Sequence, residues 1–453
     1  MSETLELAQR ALQAAEGDEA LAIVQRELSG MARYAGSEVH QPTLIENEVV
    51  ELQVVRNGRP GLASANRTDD EGLRTLAARA AEAADNAPAD PDFPGLAPGG
   101  EQVAVEGYDE TTAALTAEEQ AHLAAAAIGA SDLDLYGFFT SGLTELALAS
   151  TTGLSLCQSM TDAGVLALAA VDGASGYAEQ TSWRLDEVDP AATAKAAVAK
   201  AEQTRGAVQI EPGSYAAVLE PYAFAELLLY FAYDAFSGLG FQEERTFASG
   251  RIGEKVFDER FSLAEDPLDA RGLPKSFDFE GSPKRRVELV SAGVLSGVLW
   301  DRRTAKLAGD GHETTGSAPM SRLRHWGPLP TSLSVAGGEA GSSEELAELV
   351  GDGIYVTRLH YLSIVNPREG VITGMTRDGT FRIHDGRIAE PLVNLRFTVT
   401  VPEFLERLYG LTREPVLVNE SSFYDERYPN GALVPAVATA RFDVTGTGSG
   451  PGV

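Results

Sequence analysis

The chain holds one cysteine, Cys157, in 453 residues, so no internal disulfide framework can form, and a reducing cytoplasm is the expected compartment. Cys157 lies in the strand-like run GLSLCQS and is expected to pack as a buried side chain. Basic charge is also scarce: 36 Lys+Arg stand against 67 Asp+Glu, a formal net charge of −31. The deficit is uneven, with 11 basic against 32 acidic residues up to position 200 and 25 against 35 beyond it. Such a surface repels a phosphate backbone, which excludes direct nucleic-acid binding. The apolar run 223–236 has only 14 positions and contains two acids, so it is too short and too polar to cross a bilayer. The opening MSETLELAQRALQAAEGDEAL has no basic segment followed by an apolar one, and no secretory signal is expected. There is no GxSxG elbow, Walker A loop or CxxC pair. No two of the six histidines (His40, His122, His312, His325, His360, His384) have the spacing that sets two metal ligands on one helix.

What is present reads as globular: 43% hydrophobic and 23% charged residues, in a chain long enough for two or three domains. A helix or pair of helices is expected over 3–30. VVELQVVRNGRPGLAS places Asn57-Gly58 between apolar runs, a hairpin signal. Thr68 with Glu71, and Thr116 with Glu119, have capping-box spacing ahead of helices, the first carrying Leu73, Leu76, Ala77 and Ala80 on one face. Residues 86–100 form a Pro/Gly loop, 136–171 read as three strands with Gly-containing turns, and Asp189-Pro190 opens a helix over 191–204. Near 205–214 the pattern changes. Beyond it strands dominate, with hairpin turns at Ala292-Gly293 and Asp385-Gly386 and a short helix capped by Ser342 and Glu345. The expectation is an α+β protein: an N-terminal α/β domain of helices and hairpins (1–207), a C-terminal β-rich domain around a curved antiparallel or mixed sheet (208–446), and a flexible tail (447–453).

In AELLLYFAYDAFSGLG (225–240), Glu226, Tyr230, Tyr233 and Asp234 fall at i, i+4, i+7 and i+8, one narrow stripe of an otherwise apolar helix. A buried helix with one polar stripe lines a cleft, a partner surface or a wet cavity. Its two carboxylates lie ~12 Å apart along the axis, too far for a paired acid and base. Ser237-Gly-Leu-Gly240 imitates a phosphate loop, but a helix precedes it, and glycines ending that helix explain it. His312-Glu313 in GDGHETTG imitates a zincin signature without its second histidine and reads as a polar loop. His384, before a hairpin turn, is expected in solvent. His360, in YVTRLHYLSIV, is expected as a hydrogen-bonded structural histidine. Cations concentrate at Lys284, Arg285, Arg286, Arg302, Arg303, Lys306, Arg322, Arg324 and His325. Converging in space, they could receive a carboxylate, a peptide terminus or an acidic partner face; otherwise they are solvated charges on hairpin edges.

Several ordered blocks resemble the TldD/PmbA (TldE) family, also called modulators of DNA gyrase. They are FSGLGFQEERTFASGRIGEKV (236–256), DPLDARGLPKSFDFEGSPKRR (266–286), RLHYLSIVNPREGVITGMTRDGTFRIHDGRI (358–388) and GALVPAVATARFDVTG (431–446). YGFFTSGLTELALAS and SGYAE in the first half are similar as well, so the resemblance spans nearly the whole chain. It implies a peptidase of two subunits. A TldD-type subunit holds a catalytic metal, zinc, with an HExxxH helix and a later cysteine; a TldE/PmbA-type subunit lacks those ligands. Together they admit unfolded or extended peptides to an enclosed cavity.

Aligned without gaps from Ser249-Gly250, the metal motif falls on 229–234, LYFAYD. Leu229 and Asp234 then stand at the histidine positions, Tyr230 at that of the general base, and Arg377 at that of the cysteine. No histidine lies between His122 and His312 to restore the motif. The resemblance therefore implies a TldE/PmbA-like subunit with no catalytic residue, metal or cofactor of its own, paired with a zinc-holding TldD-like subunit or with a second copy of itself. Glu226, Tyr230, Asp234, His360 and Arg377 would line the vestigial cleft; Arg285, Arg286, Arg302 and Arg303 would meet peptide or partner. An extended peptide could also add to an open strand edge. Two alternatives stand: a metal-free hydrolase using Ser237, His360 and Glu254, and a non-enzymatic regulator of a partner such as gyrase.

Overall fold

Tight turns in left-handed backbone organise the first half. Asn57 (φ 51°) and Gly58 (φ 71°) make the expected two-residue turn. Gly36-Ser37 and Asp172-Gly173 make two more of the same kind. The strands so joined are β1 (Glu19–Ala35), β2 (Glu38–Arg56), β3 (Arg59–Ala65), β4 (Asp134–Ser150), β5 (Ser155–Val171) and β6 (Ala174–Ser182), in one antiparallel sheet of order β3-β2-β1-β4-β5-β6. The structure is a computed structural model that describes residues 2–421 and 427–448, so most of the tail expected at 447–453 lies outside the described residues. Along β1 the side chains alternate between two cores. Ala22 and Val24 meet the helices Glu3–Ala14 and Asp70–Asn86, while Leu21 and Ile23 meet Phe277, Phe279 and Met320 from the second half.

Three local expectations are corrected. The first helix ends at Ala14, and 19–35 is a strand. Both faces of β1 are covered, so its sequence lacks the polar alternation that marks a half-exposed strand. The span 136–171 holds two strands rather than three, because Gly137, Gly142 and Gly164 lie within strands and Gly153 alone among its glycines makes a turn. At Gly142 a Cβ would stand 2.7 Å from Arg427 Nε, so that glycine makes room for a crossing side chain. Asp69, not Thr68, caps the helix Asp70–Asn86 by accepting from the Gly72 N–H at 2.7 Å. Thr116 and Glu119 form the expected reciprocal box, and Asp189 caps Pro190–Gln203. Cys157 is half-buried in β5, with its thiol 2.9 Å from Ser2 Oγ.

The second half supplies β7 (Gly213–Leu219), β8 (Leu263–Glu265), β9 (Val287–Ser291), β10 (Val294–Leu295), β11 (Ser332–Val335), β12 (Gly353–Asn366), β13 (Val371–His384), β14 (Arg387–Pro391), β15 (Leu395–Thr400), β16 (Leu408–Leu411), β17 (Val416–Asn419), β18 (Gly431–Val434) and β19 (Val437–Thr447). They form two mixed sheets, so the whole is α+β, as the element pattern implies. One has the order β10-β9-β8-β11-β18-β17. In the other, β7, β12, β13, β15 and β19 pair in a closed ring, because β12 also pairs with β13.

The helix Pro221–Ala235 follows β7 directly and touches β7, β12 and β13 of the ring and β17 and β18 of the other sheet. Phe224, Leu227, Leu228 and Phe231 bury in the core around Phe261, Phe404 and Leu359. Its glycine-rich sequel starts a second, short helix, Gly238–Gln242, rather than ending the first. Gly238 is needed there because a Cβ would lie 2.4 Å from the Leu299 carbonyl oxygen. No helix among the described residues is long and apolar enough to cross a membrane.

Arg427 joins the two halves at the middle of the first sheet. With 3% of its side chain exposed, it donates Nε and Nη2 to the Asp162 carboxylate of β5 at 2.8 and 2.5 Å, and Nη1 to Thr140 Oγ1 of β4. Its backbone N–H donates to Glu27, and its carbonyl accepts from Gln25 and Thr144. Removing one member of such a pair strands a buried charge. Arg427→Met should therefore lower the unfolding free energy by about 3–5 kcal/mol, and adding Asp162→Leu should recover a large part of the loss. Urea denaturation of the two variants checks both; a double variant no better than the single one would contradict the account.

Candidate functional site

The polar stripe of Pro221–Ala235 faces the seam between the two halves. Tyr222, Glu226, Tyr230 and Asp234 are each part-buried on it, and Tyr233 is 37% exposed. Across the seam, β6 contributes Tyr177 and Glu179. Tyr177 Oη donates to Glu179 Oε2 at 2.6 Å, and Tyr222 Oη donates to the Glu179 carbonyl at 2.9 Å. The end of β17 brings Asn419, whose backbone N–H supports the Glu179 carboxylate, and then Glu420.

Three carboxylates thus meet. Burial pushes Glu226 up to about 7, with the charge of Glu179 adding to the rise. Burial likewise raises Glu179, and it raises Glu420 well above the carboxylate range, where Glu179 and Glu226 add repulsion. Among the described residues, one guanidinium opposes Glu179 and Glu226. Arg358 of β12 stacks over the Tyr177 ring at 4.2 Å and donates to Asp378 Oδ2 at 2.9 Å.

A strand irregularity aims that pair. The β12–β13 register slips between Val356 and Arg358, and Asp378 takes a left-handed φ of 54°. Asp378 is 1% exposed, held also by Ser175 Oγ at 2.8 Å. Below it, the buried Glu220 carboxylate receives Lys200 Nζ at 2.6 Å, Tyr355 Oη at 2.9 Å and Thr357 Oγ1 at 3.1 Å. These bonds tie the helix Pro190–Gln203 to the ring.

The residues singled out from sequence separate into groups. Glu226, His360 and Arg377 come to one region around Arg358. Arg377 stands opposite Arg358 in the register, its buried Nε has no hydrogen-bond partner among the described residues, and it lies 3.8 Å from Asp378. Burial, then Arg377 and Arg358, hold His360 below the usual imidazole range. Its ring lies 4.1 Å from the Tyr361 ring, and among the described residues no hydrogen bond to it is found, contrary to the expectation. Tyr230 sits mid-stripe. Asp234 lies at the far end and faces Arg245 at 3.5 Å, away from the cluster.

Ser237, His360 and Glu254 do not assemble: Ser237 Oγ donates to the Trp326 carbonyl at 3.3 Å, and Glu254 is exposed. Of the basic residues, Arg286 is drawn away by Asp266 at 2.6 Å. Arg302 and Arg303 line a cavity with Arg324 and His325, and Arg285 lies in a neighbouring one that Arg302 also borders.

Tyr177, Glu179, Asp378 and Glu420 were not singled out from the sequence. Glu179 is a lone acid in a run of small residues, which is a signal of a kind, but nothing local says which helix it faces.

The arrangement does not suit a zinc ion. The helix offers Leu229, Tyr230 and Asp234, the adjoining strand offers Arg377, and two guanidinium groups would repel a cation. Among the described residues, one group has three ligand-type side chains in reach of a common ion: Asp352, His384 and Asp385. All three are exposed and lie at the other end of the β12–β13 hairpin from His360, with His384 solvated as expected.

Fold and site define an α+β protein in two parts, with an acid-rich side-chain cluster along a buried helix at their seam. Residues 212–446 match the model of the PmbA/TldA metallopeptidase C-terminal domain, and residues 20–84 match that of PmbA/TldA metallopeptidase domain 1. The chain belongs to the PmbA/TldD family. It is 31% identical over 168 residues to a metalloprotease of Methanothermobacter thermautotrophicus and 35% identical over 102 residues to an uncharacterized protein of Methanocaldococcus jannaschii. These matches span 35% and 24% of the two relatives' lengths, and 36% and 22% of this chain. Its fold is similar to that of TldE from Thermococcus kodakarensis (TM-score 0.85, 20% identity, 97% of this chain and 99% of that one). It is also similar to that of a candidate modulator of a DNA gyrase from Thermotoga maritima (TM-score 0.84, 19% identity, 97% and 99%).

A carboxyl raised on folding costs stability as pH climbs from its ordinary value of 4.5, and the cost is complete above about 7. Glu226→Gln should therefore stabilise the protein little at pH 4.5, progressively more from pH 5 to 7, and by on the order of 1–3 kcal/mol at pH 8. Thermal unfolding of both proteins across this range measures the difference, and a gap that does not change with pH would refute the assignment.

Proposed function

We propose that this chain is a TldE/PmbA-like subunit of a cytoplasmic two-subunit peptidase, which walls the proteolytic cavity and positions extended peptides while a TldD-type partner holds the zinc. The observation that carries this reading is the side-chain set at the metal-motif positions implied by the family resemblance. Leu229, Tyr230 and Asp234 on the buried helix and Arg377 on β13 keep a polar cleft but supply no imidazole or thiolate.

The strand edges support a peptide-handling role. Among the described residues β12 pairs with β7 over Ile354–Val356 and its far stretch is bonded on one side, to β13. Tyr361 and Val365 there are 76% and 59% exposed. An extended chain can add to such an edge through backbone hydrogen bonds alone, which tolerates many sequences. The carboxylates of the cleft would orient a peptide's ammonium or basic side chains, and Arg358 is held back from them by Asp378.

The test is reconstitution. The purified chain should carry substoichiometric zinc and leave an unfolded peptide intact. Mixing it with an HExxxH-bearing family member should give hydrolysis that a chelator abolishes. Hydrolysis by this chain alone in the presence of chelator would overturn the reading in favour of a metal-free enzyme.

A further inference from the structure

A second site lies at the other edge of the first sheet, where the chain gathers cations. The β2–β3 hairpin, the loop 90–97 and the segment that begins with the helix Arg302–Ala308 enclose a cavity of about 390 Å³. Arg302, Arg303, Arg324 and His325 line it, against apolar walls that include Leu62 and Phe93. The two inner arginines are not neutralised. Arg302 donates Nη2 to the Leu96 carbonyl at 3.2 Å, and Arg324 donates Nη1 to Gln53 Oε1 at 2.9 Å. Neither forms an ion pair, and the buried Nε of each has no hydrogen-bond partner among the described residues. Arg303 is different, being paired with Asp90. Glu280, the other carboxylate at the cavity, accepts the Arg302 backbone N–H at 3.1 Å. Burial and then Asp278 push Glu280 up to about 7, so it offsets the arginines only in part at neutral pH. A neighbouring cavity of about 500 Å³ shares Pro94 and Arg302 with this one and adds Arg285 and Lys306.

From this geometry we propose that the cavity binds a carboxylate of an extended peptide, held between the guanidinium groups of Arg302 and Arg324, with an apolar side chain against Leu62 and Phe93. A part-buried guanidinium with no carboxylate partner among the described residues presents paired N–H donors that fit a planar carboxylate, and a second cavity that shares Arg302 gives a chain room to run on. Polyanions are disfavoured because the protein as a whole carries −31. The proposal narrows the ligand class of the peptide-handling reading, but it requires neither a partner subunit nor hydrolysis. A failed reconstitution would leave it standing.

The test uses the purified chain and isothermal titration with four probes: a hexapeptide ending in Ala-Leu with a free carboxylate, its C-terminal amide, an amidated version carrying an internal glutamate, and inorganic phosphate. Binding by the free acid or by the glutamate peptide, at least about tenfold tighter than by the plain amide, supports the site and identifies which carboxylate it takes. Arg302→Gln and Arg324→Gln should each remove that preference. Glu280→Gln, which keeps every arginine and deletes the competing charge, should tighten binding at pH 8, so the proposal stays testable if an arginine variant folds poorly. Equal binding of acid and amide, tighter binding of phosphate than of any peptide, or arginine variants with unchanged melting temperature and unchanged affinity would each overturn it.

Discussion

The buried pair of Arg427 and Asp162 is the constraint on which the arrangement of the two halves rests. Its position explains its importance: Asp162, Thr140 and Glu27 lie on β5, β4 and β1, the centre of the first sheet. Two charges buried together gain little over an apolar pair of the same shape, so the contact is a poor source of net stability. What it provides is position. A guanidinium with fixed donor directions fits one carboxylate on β5, one hydroxyl on β4 and one backbone register, and a slip of one residue would strand both charges. Gly142 is shaped to this contact as well, since any Cβ there would collide with the arginine. The apolar contacts around it, Leu21, Ile23 and Leu148 against Phe277, Phe279 and Tyr428, supply the burial that the ion pair does not.

From that central fixture the seam runs outward in two directions with opposite character. Towards β6 it reaches the cluster where Glu179, Glu226 and Glu420 crowd one another and, among the described residues, Arg358 is the cation that answers Glu179 and Glu226. Towards β2 and β3 it opens into the cavity of Arg302, Arg303 and Arg324. Both regions hold charge that folding by itself does not require. A seam built only to hold two halves together would pair these groups or replace them with apolar ones, as its centre does. Raised carboxyls on one side and, on the other, Arg302 and Arg324 without an ion pair among the described residues are strain kept in the fold, and such strain gathers where a ligand relieves it.

Much of the architecture was legible in the sequence, and what escaped follows a physical rule. Features set by neighbours in the chain were readable: the Asn57-Gly58 turn, the Thr116–Glu119 box, the Asp189 cap, and the polar stripe on the buried helix. Features set by distant contacts were not. The strand over 19–35 is hidden because two cores cover it, and the three-strand reading of 136–171 fails in part because the reason for Gly142 lies 285 positions away at Arg427. The cleft was half visible: Glu226, His360 and Arg377 could be named, but Glu179 arrives from a strand of the other half. The aim of Asp378 depends on a register slip that leaves no mark in composition. Among the cations, sequence proximity grouped Arg286 with Arg302, although an acid 20 residues away had already claimed Arg286.

The helix AELLLYFAYDA shows how one element serves both purposes. Its apolar sides are committed to Phe261, Phe404 and Leu359, so it cannot shift without opening the core of the second half. Its remaining stripe is therefore presented to the seam in a fixed geometry, whatever residues occupy it. A histidine pair on such a rigid stripe would be positioned for a metal, whereas the glutamate and tyrosine here present a carboxyl and a hydroxyl. Exchange of a few side chains on this stripe can therefore change the chemistry without changing the fold. That is consistent with a TM-score of 0.85 to a TldE at only 20% identity.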